Sequence, residues 1–174
     1  KALGVCLVDI GGGTTDIAIF TDGDIKHTAV IPAAGQMVTN DIRIVLRTSL
    51  EAAEDIKKKY GSLINEANDA QINIPVPSVS DKPESEISKP SLTHIITCRI
   101  DEIFQQIEEE INSSGWASKI RAGIVFTGVG CKLNGLDTYA ENKLLMPTRI
   151  GSPKDIIGIQ NLSGQTRYST AVGL

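Results

Sequence analysis

The chain has 174 residues, 41% of them hydrophobic and 4% aromatic, with a formal net charge of −4. That length suffices for one ordinary domain or two small subdomains. A mildly acidic charge spread along the chain, with few aromatics, excludes general nucleic-acid binding, which draws on basic surfaces and stacking platforms. Cys6, Cys98 and Cys131 are far apart and odd in number, with no CxxC and no metal spacing, which points to a reducing, cytosolic compartment. Cys6 alternates with apolar neighbours and reads as a small core residue. The sequence has no signal peptide, and its apolar runs are too short to cross a membrane. It enters a strand directly at Lys1, without Met, and ends in an apolar stretch at Gly173–Leu174; it reads as a piece of a longer protein.

The first element carries the chemistry. In Val5–Phe20, VCLVDIGGGTTDIAIF, residues Val5, Leu7, Val8 and Ile10 form a buried-strand pattern with Asp9 near its end, and Gly11–Gly12–Gly13 follow. In dinucleotide and P-loop folds a glycine turn opens a helix. Here Thr14–Phe20 continues with β-branched residues at roughly period two, so two strands flank the turn as a hairpin. Glycines permit positive φ and a close approach of backbone to ligand, and their N–H groups can converge on an anion. Asp9, at the mouth of the turn, is placed to hold magnesium through water, since that ion prefers oxygen ligands and keeps much of its hydration. The Thr14 and Thr15 hydroxyls are candidate donors to phosphate oxygens. The plainer reading is a tight hairpin without a ligand.

Asp22–Gly23 marks a second hairpin turn, and Asp24–Pro32 a third strand, giving an antiparallel meander. His27 lies in that strand with no partner nearby in sequence and reads as a cross-strand surface residue. Gly35 leads into a helix from Gln36 to about Arg47, with Val38, Ile42, Val45 and Leu46 at helical spacing. Thr48–Glu51 fits a capping box with Thr48 as N-cap, opening a helix to Tyr60. Glu54 shares a face with Lys57 and Lys58, on spacing alone a solvated, salt-bridged face.

Gln71–Val76 reads as an edge strand containing Pro75, and Pro77–Pro90 as a loop with a short strand near Glu86–Ser88. The spacing predicts a long helix from Leu92 to Ser114, capped by Ser91, with Leu92, Ile96, Ile100, Ile103, Ile107 and Ile111 as its core stripe. Arg99 sits at the stripe's margin. Its guanidinium suits either an ion pair within the chain or a bidentate contact to a partner's carboxylate. Glu108–Glu110 oppose the helix dipole and are expected in solvent. Ala122–Phe126 is a second buried strand, running into Thr127–Gly128–Val129–Gly130, another glycine turn. A helix over Leu136–Met146, a strand over Thr148–Ile150, a loop over Asp155–Leu162 and the start of a helix at Tyr168–Leu174 complete the chain.

Two strand-to-glycine turns about a hundred residues apart, with an acidic-basic helix between them, resemble the actin-like ATPase superfamily. VDIGGGTTDIAIF resembles its second phosphate motif, IVFTGVGCKLNGL its adenosine motif, and AEDIKKKYG the helix that clasps adenine and ribose; Gly35 matches the glycine beside the ribose. Within the superfamily, HTAVIPAAGQMVTNDI, AEDIKKKYG, AGIVFTGVG and YSTAVGL resemble, in order and spacing, the FtsA family of bacterial cell-division proteins. The resemblance covers essentially the whole chain. Val129 departs from it, standing where a second adjacent glycine is usual.

The resemblance implies an α/β fold, an actin-like (ribonuclease H-like) ATPase lobe. Residues 1–46 and 118–174 would form the larger subdomain and 47–117 a smaller inserted α+β one. It implies ATP with Mg2+, bound by Gly11, Gly12, Gly13, Thr14, Gly35, Glu54, Lys57 and Gly128, with Asp9 holding magnesium through water. It implies weak ATPase activity at most in the whole protein, and little or none in this piece. The implied role is to link the FtsZ C-terminal tail to the inner face of the cell membrane at the division site. Arg99 is the candidate contact for that tail. Self-association and other division proteins complete the implied partners. Membrane attachment would come through a helix beyond Leu174. The rivals are a pilus-assembly or rod-shape scaffold, or a kinase of the same superfamily; a kinase needs a general base and a substrate pocket, and the sequence offers neither.

Overall fold

The computed structural model describes residues 3–79, 83–152 and 166. The expected loop at 155–162 and helix at 168–174 lie outside them. β1 (Val5–Ile10), β2 (Thr15–Thr21) and β3 (Asp24–Ile31) form the antiparallel meander. Asp22 and Gly23 both take positive φ at the second turn, as a two-residue hairpin with matched twist requires. On the other side of β1 the sheet turns parallel: β6 (Ile124–Thr127) pairs with β1, and β7 (Thr148–Ile150) pairs with β6, giving the order β3-β2-β1-β6-β7. All four β6 residues are buried, three of them apolar in a row and the fourth Thr127, as suits a central parallel strand. Asp9 stands opposite Thr127, so both glycine turns emerge side by side at the carboxyl ends of β1 and β6.

α1 (Gly35–Leu46) follows β3 and packs against α2 (Leu50–Tyr60) and α3 (Lys89–Ser113). A separate two-stranded sheet pairs β4 (Asn73–Val76) with β5 (Ser85–Ser88). All six expected stripe residues of α3 are buried. Phe104 of α3 packs its ring 5.6 Å from Phe126 of β6 and 6.3 Å from Tyr139 of α4 (Leu136–Leu144). α3 thereby spans from the β5 edge to the central sheet.

Both helix caps differ from expectation. Ser49, not Thr48, caps α2 by accepting from Ala52 N–H at 3.1 Å; Thr48 is buried and donates to the Pro77 carbonyl at 2.6 Å. α3 starts three residues earlier, at a Ser88 cap. Pro90 falls in its first turn, where a missing N–H costs nothing, and Ser91 meets Ser88 hydroxyl to hydroxyl at 2.8 Å. His27 and Glu110 are also corrected: His27 Nε2 lies 2.8 Å from Glu110 Oε1, both side chains half-buried. This pair ties β3 to the end of α3.

Candidate nucleotide site

α1 has no side-chain N-cap; Ala34 stands extended at that position. Its first N–H groups are satisfied instead by the hairpin tip: Gly35 N–H donates to Gly11 O at 3.2 Å and Gln36 N–H to Gly12 O at 2.8 Å. Orphan donors at a helix start need such partners. The glycine turn and the helix therefore form one unit.

The second turn closes on the same point. Gly128 holds φ +92°, and a Cβ there would lie 2.2 Å from Asp9 Oδ1. A Cβ on Gly130 would lie 2.4 Å from Ile10 Cγ2. Both glycines exist because the turn packs directly on the end of β1. Val129 between them is 46% exposed, so the middle position is where a side chain fits. Around Gly35, a Cβ would stand 3.3 Å from Gly11 O, 3.9 Å from Lys57 Nζ and 4.0 Å from Gly130 Cα. Three glycine-bearing segments and α2 converge there.

They enclose a cleft of about 630 Å³, within the range of small-molecule sites. Gly11, Gly12, Gly35 and Gly130 supply backbone to its wall; Ile10, Val38, Ile100, Val129 and Leu133 supply apolar surface; Glu54, Lys57, Lys58 and Lys132 supply charge. Apolar walls beside a few converging polar groups suit a flat heterocycle with a polar tail. Gly13 lines a smaller adjoining pocket with Gly12, Asn40, Asp41 and Arg99.

Within the cleft, Thr39 is the residue that sequence reasoning missed. Its buried hydroxyl lies 2.5 Å from Glu54 Oε2 and 2.6 Å from Lys57 Nζ. Lys57 also reaches Gly35 O at 3.0 Å and Glu54 Oε2 at 2.7 Å. An ammonium has three donors, and these three contacts use them all. Lys57 is thus a strut between α2 and the start of α1. Burial alone would raise the Glu54 carboxyl, but hydrogen bonds from Lys57 and Thr39, with the charges of Lys57 and Lys58, hold it below the usual carboxylate range. Among the described residues Glu54 Oε1 meets Lys58 at 3.5 Å, and Glu54 lines the cleft. No local pattern marked Thr39; it becomes legible only when α1 and α2 are packed.

Several expected residues lie elsewhere. Gly128 packs under the turn, and Gly130 rather than Gly128 lines the cleft. Thr14 is exposed, its hydroxyl 3.3 Å from Asp16 Oδ2. Thr15 cannot serve a ligand, because its buried hydroxyl donates to Ala33 O at 2.7 Å. Gly11–Gly13 are not among the positive-φ glycines; nothing lies within 4 Å of a Cβ at Gly12 or Gly13, so their use is openness rather than left-handed backbone. Asp9 is half-buried between the two turns. Arg99 is engaged within the chain: Nε and Nη2 donate to Asp41 at 2.6 and 2.9 Å, and Nη1 to Glu102 at 2.5 Å. The ion-pair alternative of the two sequence readings describes its geometry.

The family model for cell division protein FtsA matches residues 6–173. The chain is 48% identical, over its full length, to the FtsA protein of Pseudomonas aeruginosa and 37% identical to that of Escherichia coli K12. It spans 42% and 43% of those relatives' lengths, less than half of each. Among solved structures it resembles MreB5 of Spiroplasma citri bound to ADP, with a TM-score of 0.79 and 26% identity over 98% of this chain and 52% of that one. The family match does not favour the pilus, rod-shape or kinase alternatives. Among the described residues no helix is long and apolar enough to cross a membrane. With an actin-like α/β fold and a family match over nearly its whole length, the chain belongs to the FtsA family of cell-division proteins.

Proposed function

We propose that the cleft takes the nucleoside of ATP, with the phosphates directed to the Gly11–Gly13 turn. The observation that carries this reading is the convergence of Gly11, Gly35 and Gly130 on one cleft with Glu54 at its wall. The ADP-bound state of the structurally similar MreB5 supports it. Gly35 and Gly130 line the cleft; Glu54 Oε1 accepts from a hydroxyl; Lys57 and Thr39 hold Glu54 in place. Asp9 would hold Mg2+ through water.

The whole protein, on this reading, is an ATP-dependent actin-like scaffold that self-associates and links the FtsZ tail to the inner membrane face at the division site, alongside other division proteins. We infer the same subdomain division as the sequence implied, 1–46 with 118–174 and 47–117; the separate β4–β5 sheet supports it. Tail docking on the smaller part would require Arg99 to exchange Asp41 for a partner carboxylate. The test is titration of ATP with Mg2+ into the full-length protein and into this chain alone. A site between two lobes forfeits contacts when one lobe is missing, so the full protein binds and the chain binds feebly. Equal, tight binding by the chain alone overturns the two-lobe reading. A labelled FtsZ C-terminal peptide, followed by anisotropy, saturates on the folded chain; no binding overturns the docking assignment.

A further inference from the structure

Two hollows open beside the first glycine turn, and Gly12 and Gln36 line both of them. One is the large cleft. The other is the adjoining pocket of about 260 Å³, where they are joined by Gly13, Met37, Asn40, Asp41 and Arg99. A ligand that lies in the cleft and follows the turn from Gly11 to Gly13 therefore passes Gln36.

Gln36 is fixed by its backbone while its side chain stays uncommitted. Its N–H donates to Gly12 O at 2.8 Å, which pins the first turn of α1 against the hairpin. The polar side chains that follow it on α1 are engaged within the chain. Thr39 meets Glu54 and Lys57, Asn40 accepts from Arg43 at 3.2 and 3.0 Å, and Asp41 takes Arg99. The exposed carboxamide of Gln36 makes no hydrogen bond among the described residues. It offers two N–H donors and a carbonyl acceptor.

Charge points the same way. A helix start carries partial positive charge and favours Asp or Glu in its first turn. The first turn of α1, a helix of 12 residues, holds no acidic residue. For helix stability alone a glutamate would serve better than glutamine at this position. A neutral donor is what a neighbouring anion requires. Gly12 and Gly13 put no side chain in its way.

We propose that Gln36 is a further nucleotide-binding residue: its carboxamide N–H donates to a phosphate oxygen where the phosphate chain leaves the cleft, and it selects for ligands that carry several phosphates. This rests on the nucleotide reading above and adds a residue to it. Gln36 holds the ligand and takes no part in bond breaking.

The test is isothermal titration of AMP, ADP and ATP, each with Mg2+, into the full-length protein and its Gln36→Glu and Gln36→Met forms. Gln36→Glu keeps the shape of the side chain and places a negative charge beside the phosphates. Its ATP affinity falls by at least about tenfold, the scale of a lost hydrogen bond to a charged group, with a smaller loss for ADP and the smallest for AMP. The gap from the parent narrows as ionic strength rises, because salt screens the repulsion. Gln36→Met removes the donor at similar length and weakens ATP more than AMP. Without ligand, Gln36→Glu melts at or above the parent's temperature, as the helix dipole favours an acid there; lost affinity then does not come from unfolding. An equal loss for all three nucleotides, or undiminished ATP affinity in Gln36→Glu, overturns the role of Gln36 and leaves the cleft reading standing. A parent protein that binds none of the three overturns the cleft reading and this inference with it.

Discussion

Two glycine turns stand side by side at the carboxyl ends of β1 and β6, and they use glycine for opposite reasons. At Gly128 and Gly130 a Cβ has nowhere to go: Asp9 and Ile10 lie 2.2 and 2.4 Å away. At Gly12 and Gly13 a Cβ would meet nothing. Among the described residues the first turn is open around Gly12 and Gly13; the second is a packing joint against the end of β1. The same residue type in the same sheet position thus separates access from assembly.

Substitution at the packed turn has the largest expected effect. Gly128→Ala combines a left-handed backbone position with a clash against Asp9 Oδ1, and we expect a loss of about 3 kcal/mol or more in urea unfolding. A change of under about 1 kcal/mol would erase the contrast between the turns. Next comes Thr39→Val. It leaves a Lys57 donor and a Glu54 oxygen without their shared hydroxyl in a half-buried cluster, a cost of about 1–3 kcal/mol measured the same way.

The same cluster predicts a pH dependence. The Glu54 carboxyl is held low in the folded state, so the unfolded chain takes up its proton first as pH falls. The contribution of Glu54 is complete above its unfolded value of about 4.3 and disappears as pH drops through the lower folded value. The melting-temperature gap between the parent and Glu54→Gln therefore stays level near neutrality and narrows below that point. A gap that widens on acidification would contradict the assigned direction. The smallest stability effect belongs to Gly12→Ala. Its φ is not in the left-handed region and its surroundings are open, so stability moves by less than about 1 kcal/mol while ATP affinity of the full protein falls.

Much of this architecture is readable from local pattern. The β-branched run after Gly13 distinguishes a hairpin from a phosphate-loop helix, and Asp22–Gly23 fixes the next turn. The apolar spacing of α3 identifies six of its buried residues but not Thr93 or Phe104, which are buried beside them. The unread parts are those settled by distant neighbours. Thr48 looks like a cap until Pro77, 29 residues on, takes its hydroxyl. His27 finds Glu110 across 83 residues, and Arg99 finds Asp41 across 58. Gly128 and Gly130 share one motif, yet only the packing of β1 decides which of them faces the cleft. Glu54, Lys57 and Gly35 are recognisable as a set, but their division into acceptor, strut and opening needs the Thr39 hydroxyl between them.

The most direct test of the nucleotide assignment places a large side chain in the cleft without touching the joint. Val129 lines the cleft and is partly exposed, so Val129→Trp fills it from a position that tolerates a side chain. In the full-length protein we expect ATP affinity to fall by at least about tenfold, a change of some 1.4 kcal/mol, with the unfolding midpoint unchanged. Undiminished ATP affinity in a folded Val129→Trp protein would contradict the placement of the nucleotide in this cleft.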